Sequence, residues 1–133
     1  MTKDKAIYNF WQQFGIPFYP TTNLPPAEDN DDYPKEERLT FPYGTFEVLI
    51  GNSLEKVYPT VKLYFRTDSE VIPNKKVDEI SKFIGQSGYG IKCDTGLILI
   101  RREEPWSQGM LDPQDDSIKV KLLSVSLEFL TTD

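Results

Sequence analysis

Carboxylates are the main groups in this sequence that could do chemistry, because histidine is absent and cysteine occurs once. The 133 residues include 21 Asp and Glu, 15 Lys and Arg, no His and one Cys. Serine or cysteine catalysis that uses an imidazole base is therefore excluded. Most zinc sites are excluded as well, since Cys93 would have no Cys or His beside it. Any catalysis would depend on carboxylates, lysine or tyrosine.

The tripeptide Asp94-Thr95-Gly96 matches the one that presents the catalytic carboxylate in aspartic proteases. That mechanism needs two carboxylates that share a proton, so a second copy or a dimer partner would have to supply the other. The same three residues are flanked by predicted strands at 89–93 and 96–102, and they also predict a tight hairpin turn. The turn is the favoured interpretation. A carboxylate-dependent hydrolase that uses Asp94 is the less favoured alternative, and we predict that the chain is not an enzyme.

Two runs of acidic residues could bind a cation. The first does not match an EF-hand loop, which needs Gly at position six and Glu at position twelve, because counting from Asp29 places Pro34 and Thr40 there. A looser oxygen-ligand site for a divalent cation could be built from either run, although acidic runs in loops are usually solvated. We predict no cofactor and no bound metal. The carboxylates concerned are Asp29, Asp31 and Asp32 in the first run, and Asp112, Asp115 and Asp116 in the second.

Charge and hydropathy narrow the range of partners. The net charge is −6, which argues against binding to nucleic acid phosphates over a broad surface. We also predict no direct sequence-specific binding to nucleic acid. The longest apolar run, Leu97–Ile100, is far shorter than the roughly 18 residues of a membrane span. The first residues do not resemble a signal peptide, and a lone thiol suits a reducing compartment. We therefore expect the chain to begin in a cytoplasm and to have no membrane partner.

Hydrophobic periodicity predicts two helices and five strands in one domain spanning residues 1–133. The helices cover residues 3–14 and 70–84, each with apolar residues on one face and a glycine at the end. Alternating or continuous apolar runs predict the strands. The order α-β-β-α-β-β-β indicates an α+β fold, with a mostly antiparallel or mixed sheet and two helices packed on it. The strands are predicted at residues 43–50, 57–66, 89–93, 96–102 and 117–130.

The last strand changes phase along its length. Ile118, Val120 and Leu122 have one parity, whereas the apolar residues from Leu123 to Phe129 have the other. A β-bulge near Leu122 would explain the change. Alternatively, the strand leaves one packing surface for another, and part of it packs on a neighbouring subunit.

Two long segments lack any clear period and are predicted as flexible loops. Residues 16–42 are rich in proline and acid and are expected to form an arm that becomes ordered in an assembly. Residues 103–117 hold Trp106, Met110 and Leu111 among prolines and acids. These three side chains could cap the domain's own core or anchor a protein interface, where tryptophan and methionine are enriched. The interface is the favoured interpretation.

The order of these features resembles a known family over nearly the whole chain. A helix with Phe10-Trp11 leads to Gly15-Ile16-Pro17 and the acidic, proline-rich stretch, followed by Phe41-Pro42-Tyr43. Later come Lys76–Gly85, a hairpin and Asp112–Asp116. This run is similar to the tail-terminator, or tail-completion, proteins of bacteriophages with long non-contractile tails.

The resemblance implies an α/β subunit that closes into a hexameric ring. Such a ring caps the tail tube and joins it to the head connector, so the implied partners are further copies of the chain, the tail tube protein and a head-completion protein. The implied location is the virion, after assembly in the host cytoplasm. A monomeric adaptor for a single protein partner is the alternative. The predicted interface residues are Trp106, Met110, Leu111, Asp112, Asp115 and Asp116 in the assembly loop, and Asp29, Asp31, Asp32 and Tyr33 in the arm.

Overall fold

A single curled sheet carries both helices on one face. The computed structural model describes residues 1–133. Its elements follow in the order α1 (Lys3–Trp11), β1 (Phe18–Pro20), a 3₁₀ turn (Lys35–Glu37), β2 (Tyr43–Phe46), β3 (Lys56–Val57), β4 (Thr60–Arg66), α2 (Val71–Ile84), β5 (Tyr89–Cys93), β6 (Gly96–Leu111) and β7 (Ile118–Thr131). This architecture confirms the predicted α+β class, and neither helix is long and apolar enough to cross a membrane.

The sheet has the strand order β1-β2-β4-β7-β6-β5, and β3 pairs with β7 beyond the end of β4. Every pair is antiparallel except β1 with β2. The long strand β7 lies at the centre and its register against β3 and β4 is continuous. Because side chains alternate between the two faces of a sheet, β7 contributes to both.

The helix-bearing face, here the inner face, holds the main core. Both helices bury their apolar sides against it, with Trp11 and Ile80 each no more than 1% exposed. The Trp11 ring lies 5.2 Å from that of Phe18 and 6.4 Å from that of Phe46, measured between centroids. Aromatic burial of this extent is a large share of the apolar area that stabilises a domain of this size.

The opposite face, here the outer face, carries a second apolar cluster. Tyr43 and Tyr64 stack with ring centroids 4.7 Å apart, and Val120 lies directly across from Tyr64. Ile118 and Val120 are buried within this chain. The phase change in β7 therefore reflects a strand that supplies apolar residues first to the outer face and then to the inner one.

Strand β7 has no bulge near Leu122 against β4, and the irregularity of the sheet lies in β6 instead. Arg102 pairs with Val125 and Ser107 pairs with Leu123, so the four residues 103–106 lie opposite Ser124 alone. Pro105 falls in this bulge, where its missing N–H does not interrupt the ladder. The prediction of a bulge in β7 was wrong, and the neighbouring subunit is not needed to bury Ile118 and Val120.

Several predicted boundaries also differ from the structure. Helix α1 ends at Trp11 rather than 14, because the Gln12 side chain turns back to bond the main chain of Phe18. The predicted strand 43–50 stops at Phe46, and the predicted strand 57–66 is interrupted at Pro59. The segment 16–42 is not wholly an irregular arm, since residues 18–20 form β1 and Phe18 is 1% exposed.

Candidate assembly surfaces

The arm, defined from here on as residues 21–42, folds mostly on itself. Its internal main-chain bonds include Asn30 to Ala27 and Leu39 to Pro26. The Arg38 side chain closes it further by donating to the carbonyls of Tyr33 and Glu28. Apart from the local bond from the Asn23 N–H to the Pro20 carbonyl, the one polar link beyond Thr21 between the arm and the rest of the chain is the ion pair of Glu28 with Arg66. The arm is thus an ordered flap held largely at one place.

Arg66, at the end of β4, is the point that holds this flap. Besides Glu28, its guanidinium donates to Asp115 Oδ2 at 2.9 Å and to the Ser117 hydroxyl at 3.0 Å. It also lies 4.8 Å from the centroid of the Phe41 ring. One side chain therefore joins the arm, β4 and the loop between β6 and β7. The role of Arg66 was not predictable from the sequence, because a single arginine at a strand end carries no pattern.

Two of the three carboxylates of the β6–β7 loop, those of Asp112 and Asp115, already have partners in the chain. Asp112 accepts from the main-chain N–H groups of Gln114 and Asp115, which closes a tight turn. Hydrogen bonds from Ser117, together with Arg66, lower the pKa of Asp115 to about 2. Asp116 is exposed. No three carboxylate, histidine or cysteine groups in the structure lie together as a metal site would require.

The aspartates of the arm point to solvent. Asp29, Asp31 and Asp32 are exposed, and Asp31 is 3.7 Å from Arg38 in a loose ion pair. Tyr33 is 46% exposed. A groove of about 580 Å³ separates this arm from β4, lined by Lys35, Arg38 and Arg66 among others.

Residues 103–111 belong to strand β6, so the prediction of a loop over 103–117 holds only for residues 112–117. The strand is not recognisable from the sequence, because Glu103, Glu104 and Pro105 break its alternation. Trp106 packs against the main core beside α2, as a core cap would. Its indole N–H is nevertheless buried without an acceptor. The structure does not bring Trp106 together with Met110 and Leu111, which lie further along β6.

Met110 and Leu111 lie on a sheet edge that has no neighbour. They are 40% and 60% exposed. Strand β5 pairs only with Gly96–Ile100, so the segment Ser107–Leu111 contacts β7 on one side and solvent on the other. We call Ser107–Leu111 the open edge. Unpaired strand edges are templates for pairing with another chain.

The other end of the sheet is closed. On β1 the outward N–H and C=O of Phe18 both bond the Gln12 side chain, at 3.4 and 2.8 Å. Pro20 has no N–H, and its carbonyl accepts from Asn23. No strand can be added at β1 without breaking these bonds.

A second exposed apolar feature was not foreseen as a surface. In the segment Val48–Leu54, here the apolar loop, Val48 is 38% exposed, Ile50 47% and Leu54 74%. The sequence predicted a strand as far as residue 50, and a strand needs a neighbouring strand to pair with. Residues 48–50 therefore favour a strand, but no strand of the same chain pairs with them.

Asp94 lies in a two-residue turn between β5 and β6, with Cys93 paired to Gly96. Its side chain is 63% exposed and forms an ion pair with the amino group of Met1. No second carboxylate bonds to it. The turn interpretation of Asp94-Thr95-Gly96 agrees with this geometry.

No protein-family model, no curated protein and no solved structure matches this chain. What the chain does must therefore be argued from its own surfaces.

Proposed function

We propose that this chain is a structural protein of a phage virion. In this proposal, copies assemble into an oligomeric ring that caps the tail tube and joins it to the head connector. The site of action is the head–tail interface, reached after assembly in the host cytoplasm. The proposal draws on the resemblance in element order and on the exposed surfaces of the folded subunit.

The open edge is the observation that carries the proposal. It presents unpaired main-chain groups together with the exposed side chains of Met110 and Leu111. The β1 edge is closed, so two copies cannot extend the sheet by joining β6 to β1. Contact between the open edge and a different surface of the next copy would be heterologous. Contacts of that kind generate rings when the rotation closes.

Light scattering coupled to size exclusion tests this proposal, from dilute to near-millimolar protein, with and without magnesium. We expect a discrete oligomer whose population rises with concentration, and ring-shaped particles by negative-stain electron microscopy. Tubes of a cognate tail protein added to the sample should acquire a cap and stop growing. An oligomer of open-ended, variable length would contradict a closing ring.

A monomeric adaptor is the second candidate, and the folded arm favours it. Because Phe41 and Arg66 hold the arm against the outer face, the chain already covers much of its outer cluster without a second copy. An adaptor would remain monomeric at every concentration and would bind a single partner protein in a one-to-one complex.

A further inference from the structure

We infer that the open edge of one copy receives residues Val48–Ile50, the first part of the apolar loop of the next copy, as an added strand. The inference deepens the proposed ring and rests on it. It names the two surfaces that meet. The resemblance to tail terminators does not indicate which surfaces these are.

The open edge has main-chain groups that point away from the sheet. The bond from Asp112 N–H to the Ile118 carbonyl identifies residues 112 and 118 as a hydrogen-bonded pair. In an antiparallel ladder such pairs alternate with non-bonded ones. The N–H and C=O groups of Ser107, Gly109 and Leu111 therefore face outward, and no main-chain or side-chain group of the chain bonds them.

A groove beside the open edge can hold the side chains of an incoming strand. It measures about 560 Å³ and lies between α2 and β6. Three of its lining residues are apolar, Val71, Val77 and Trp106, and the other four are Asn74, Lys75, Asp78 and Ser107. Val71 is 60% exposed. An edge strand next to a groove is the arrangement in which main-chain bonds give affinity and pockets give specificity.

The apolar loop is suited to be the occupant. The main chain of Val48, Leu49 and Ile50 makes no hydrogen bond within the chain, although these residues favour strands. Val48–Leu54 contains no charged residue, and neither does Pro105–Leu111. Depletion of charge is typical of interface cores, and it matters here because copies with a net charge of −6 repel one another.

The apolar loop is also held in a strained shape. Leu54 has φ 66°, in the left-handed region that a leucine rarely adopts. Its N–H donates to the Phe129 carbonyl at 2.7 Å, and the Phe129 N–H donates to Glu55 at 2.9 Å. These bonds fix the loop with Leu54 74% exposed. Strain that is kept in place by its surroundings is a feature of binding segments.

The two surfaces lie on opposite sides of β7, so one subunit cannot join its own. The open edge belongs to β6, on one side of β7, whereas the apolar loop follows β2 on the other side, from Glu47, whose N–H bonds the Thr60 carbonyl, to Leu54, whose N–H bonds the Phe129 carbonyl. Strands β4 and β7 therefore stand between the start of the loop and β6, and neighbouring strands are about 4.8 Å apart. Each copy would thus offer one surface to each neighbour.

Single-cysteine cross-linking tests the contact, in a Cys93→Ser background. A mixture of the Val48→Cys and Met110→Cys proteins should give a disulfide-linked dimer on mild oxidation, and each protein alone should give far less. The mixture of Leu24→Cys with Met110→Cys, which pairs the open edge with the arm, is the matched control. Strong dimerisation of Met110→Cys alone would overturn the inference in favour of edge-to-edge pairing, and preferred cross-linking to Leu24→Cys would overturn it in favour of the arm.

Assembly of charged variants separates this inference from the proposed function. Leu111→Lys and Val48→Lys should each raise the concentration for half-assembly at least tenfold, whereas Leu24→Lys, on the exposed arm, should leave it unchanged. Circular dichroism melts check that each variant is folded. Rings that form normally from Leu111→Lys would overturn the contact and leave the ring intact. A wild-type chain that stays monomeric at all concentrations and salt levels would overturn both.

Discussion

The guanidinium of Arg66 lies 4.8 Å from the centre of the Phe41 ring, and this contact joins the end of β4 to the arm. The same guanidinium pairs with Glu28 in the arm and with Asp115 in the β6–β7 loop. A cation over an aromatic face at an exposed site contributes only weakly to stability. We therefore expect that a single substitution can detach the arm.

Arg66→Ala should release the arm while the main core stays folded. Residues 24–40 have no other polar link to the body, so we expect faster proteolysis and faster amide exchange confined to this segment. Arg101→Ala, which removes an exposed arginine without an ion-pair partner, is the matched control. Unchanged exchange in the arm of Arg66→Ala would show that apolar contacts alone hold it.

The Asp115 carboxylate should make this attachment sensitive to acid. Its pKa is lowered from 3.8 to about 2, with hydrogen bonds from Ser117 as the first cause and Arg66 as the second. A group whose pKa is depressed on folding contributes stability above its unfolded pKa and loses that contribution as the pH falls. The loss should therefore occur between about pH 4 and pH 2.

Asp115→Asn tests the acid prediction. Arm exchange in the wild type should accelerate as the pH falls through this window, after correction for the intrinsic pH dependence of exchange. In Asp115→Asn the arm should be loose already at neutral pH and change less with acid. Asp116→Asn, which alters an exposed neighbour, should behave like the wild type.

The inner core, in contrast, was largely predictable from sequence. The heptad-like spacing of Ile7, Phe10 and Trp11 identified the buried face of α1, and all three are at most 4% exposed. Local apolar periodicity suffices there because a helix buries one stripe. The hairpin at Asp94 was predictable for the same local reason.

The surfaces were harder to predict because they depend on which strands lack a neighbour. The exposure of Met110 follows from β5 ending its pairing at Ile100, a fact of sheet order and not of local sequence. Likewise, the alternation of apolar residues predicts a strand at Val48 and Ile50, but no strand in the chain pairs with them. Arg66 acts through Glu28 and Asp115, which are 38 and 49 residues away along the chain.

Gly44 should tolerate no side chain, because β2 lies directly under the Phe18 ring. A Cβ at residue 44 would come within 2.3 Å of the Phe18 ring, which is 1% exposed and cannot move aside. Gly44→Ala should therefore lower the free energy of unfolding by about 1–3 kcal/mol, the usual cost of overpacking. Urea denaturation measures it.

A double mutant shows whether this clash is the cause. Phe18→Leu alone should destabilise by loss of packing, yet the cost of Gly44→Ala should shrink in that background. Coupling between contacting residues is commonly 0.5–3 kcal/mol, on the order of the effect sought. Strict additivity of the two changes would contradict a steric origin.

Trp106 distinguishes a core cap from an interface anchor through its indole N–H. This donor is buried without an acceptor, and leaving a polar group unpaired costs about 1–3 kcal/mol. Trp106→Phe keeps most of the apolar area and removes the N–H. In the monomer it should leave the free energy of unfolding unchanged or raise it by up to about 1 kcal/mol.

The same substitution should weaken assembly if the N–H gains its acceptor from a neighbouring copy in the groove beside the open edge. We expect a rise in the half-assembly concentration of Trp106→Phe without any loss of monomer stability. The control is Trp11→Phe, which lies in the inner core at 1% exposure and should lower stability while leaving the assembly surfaces intact. Assembly of Trp106→Phe equal to the wild type would assign Trp106 to the core alone, because a side chain that only caps its own domain has no reason to alter contacts between copies.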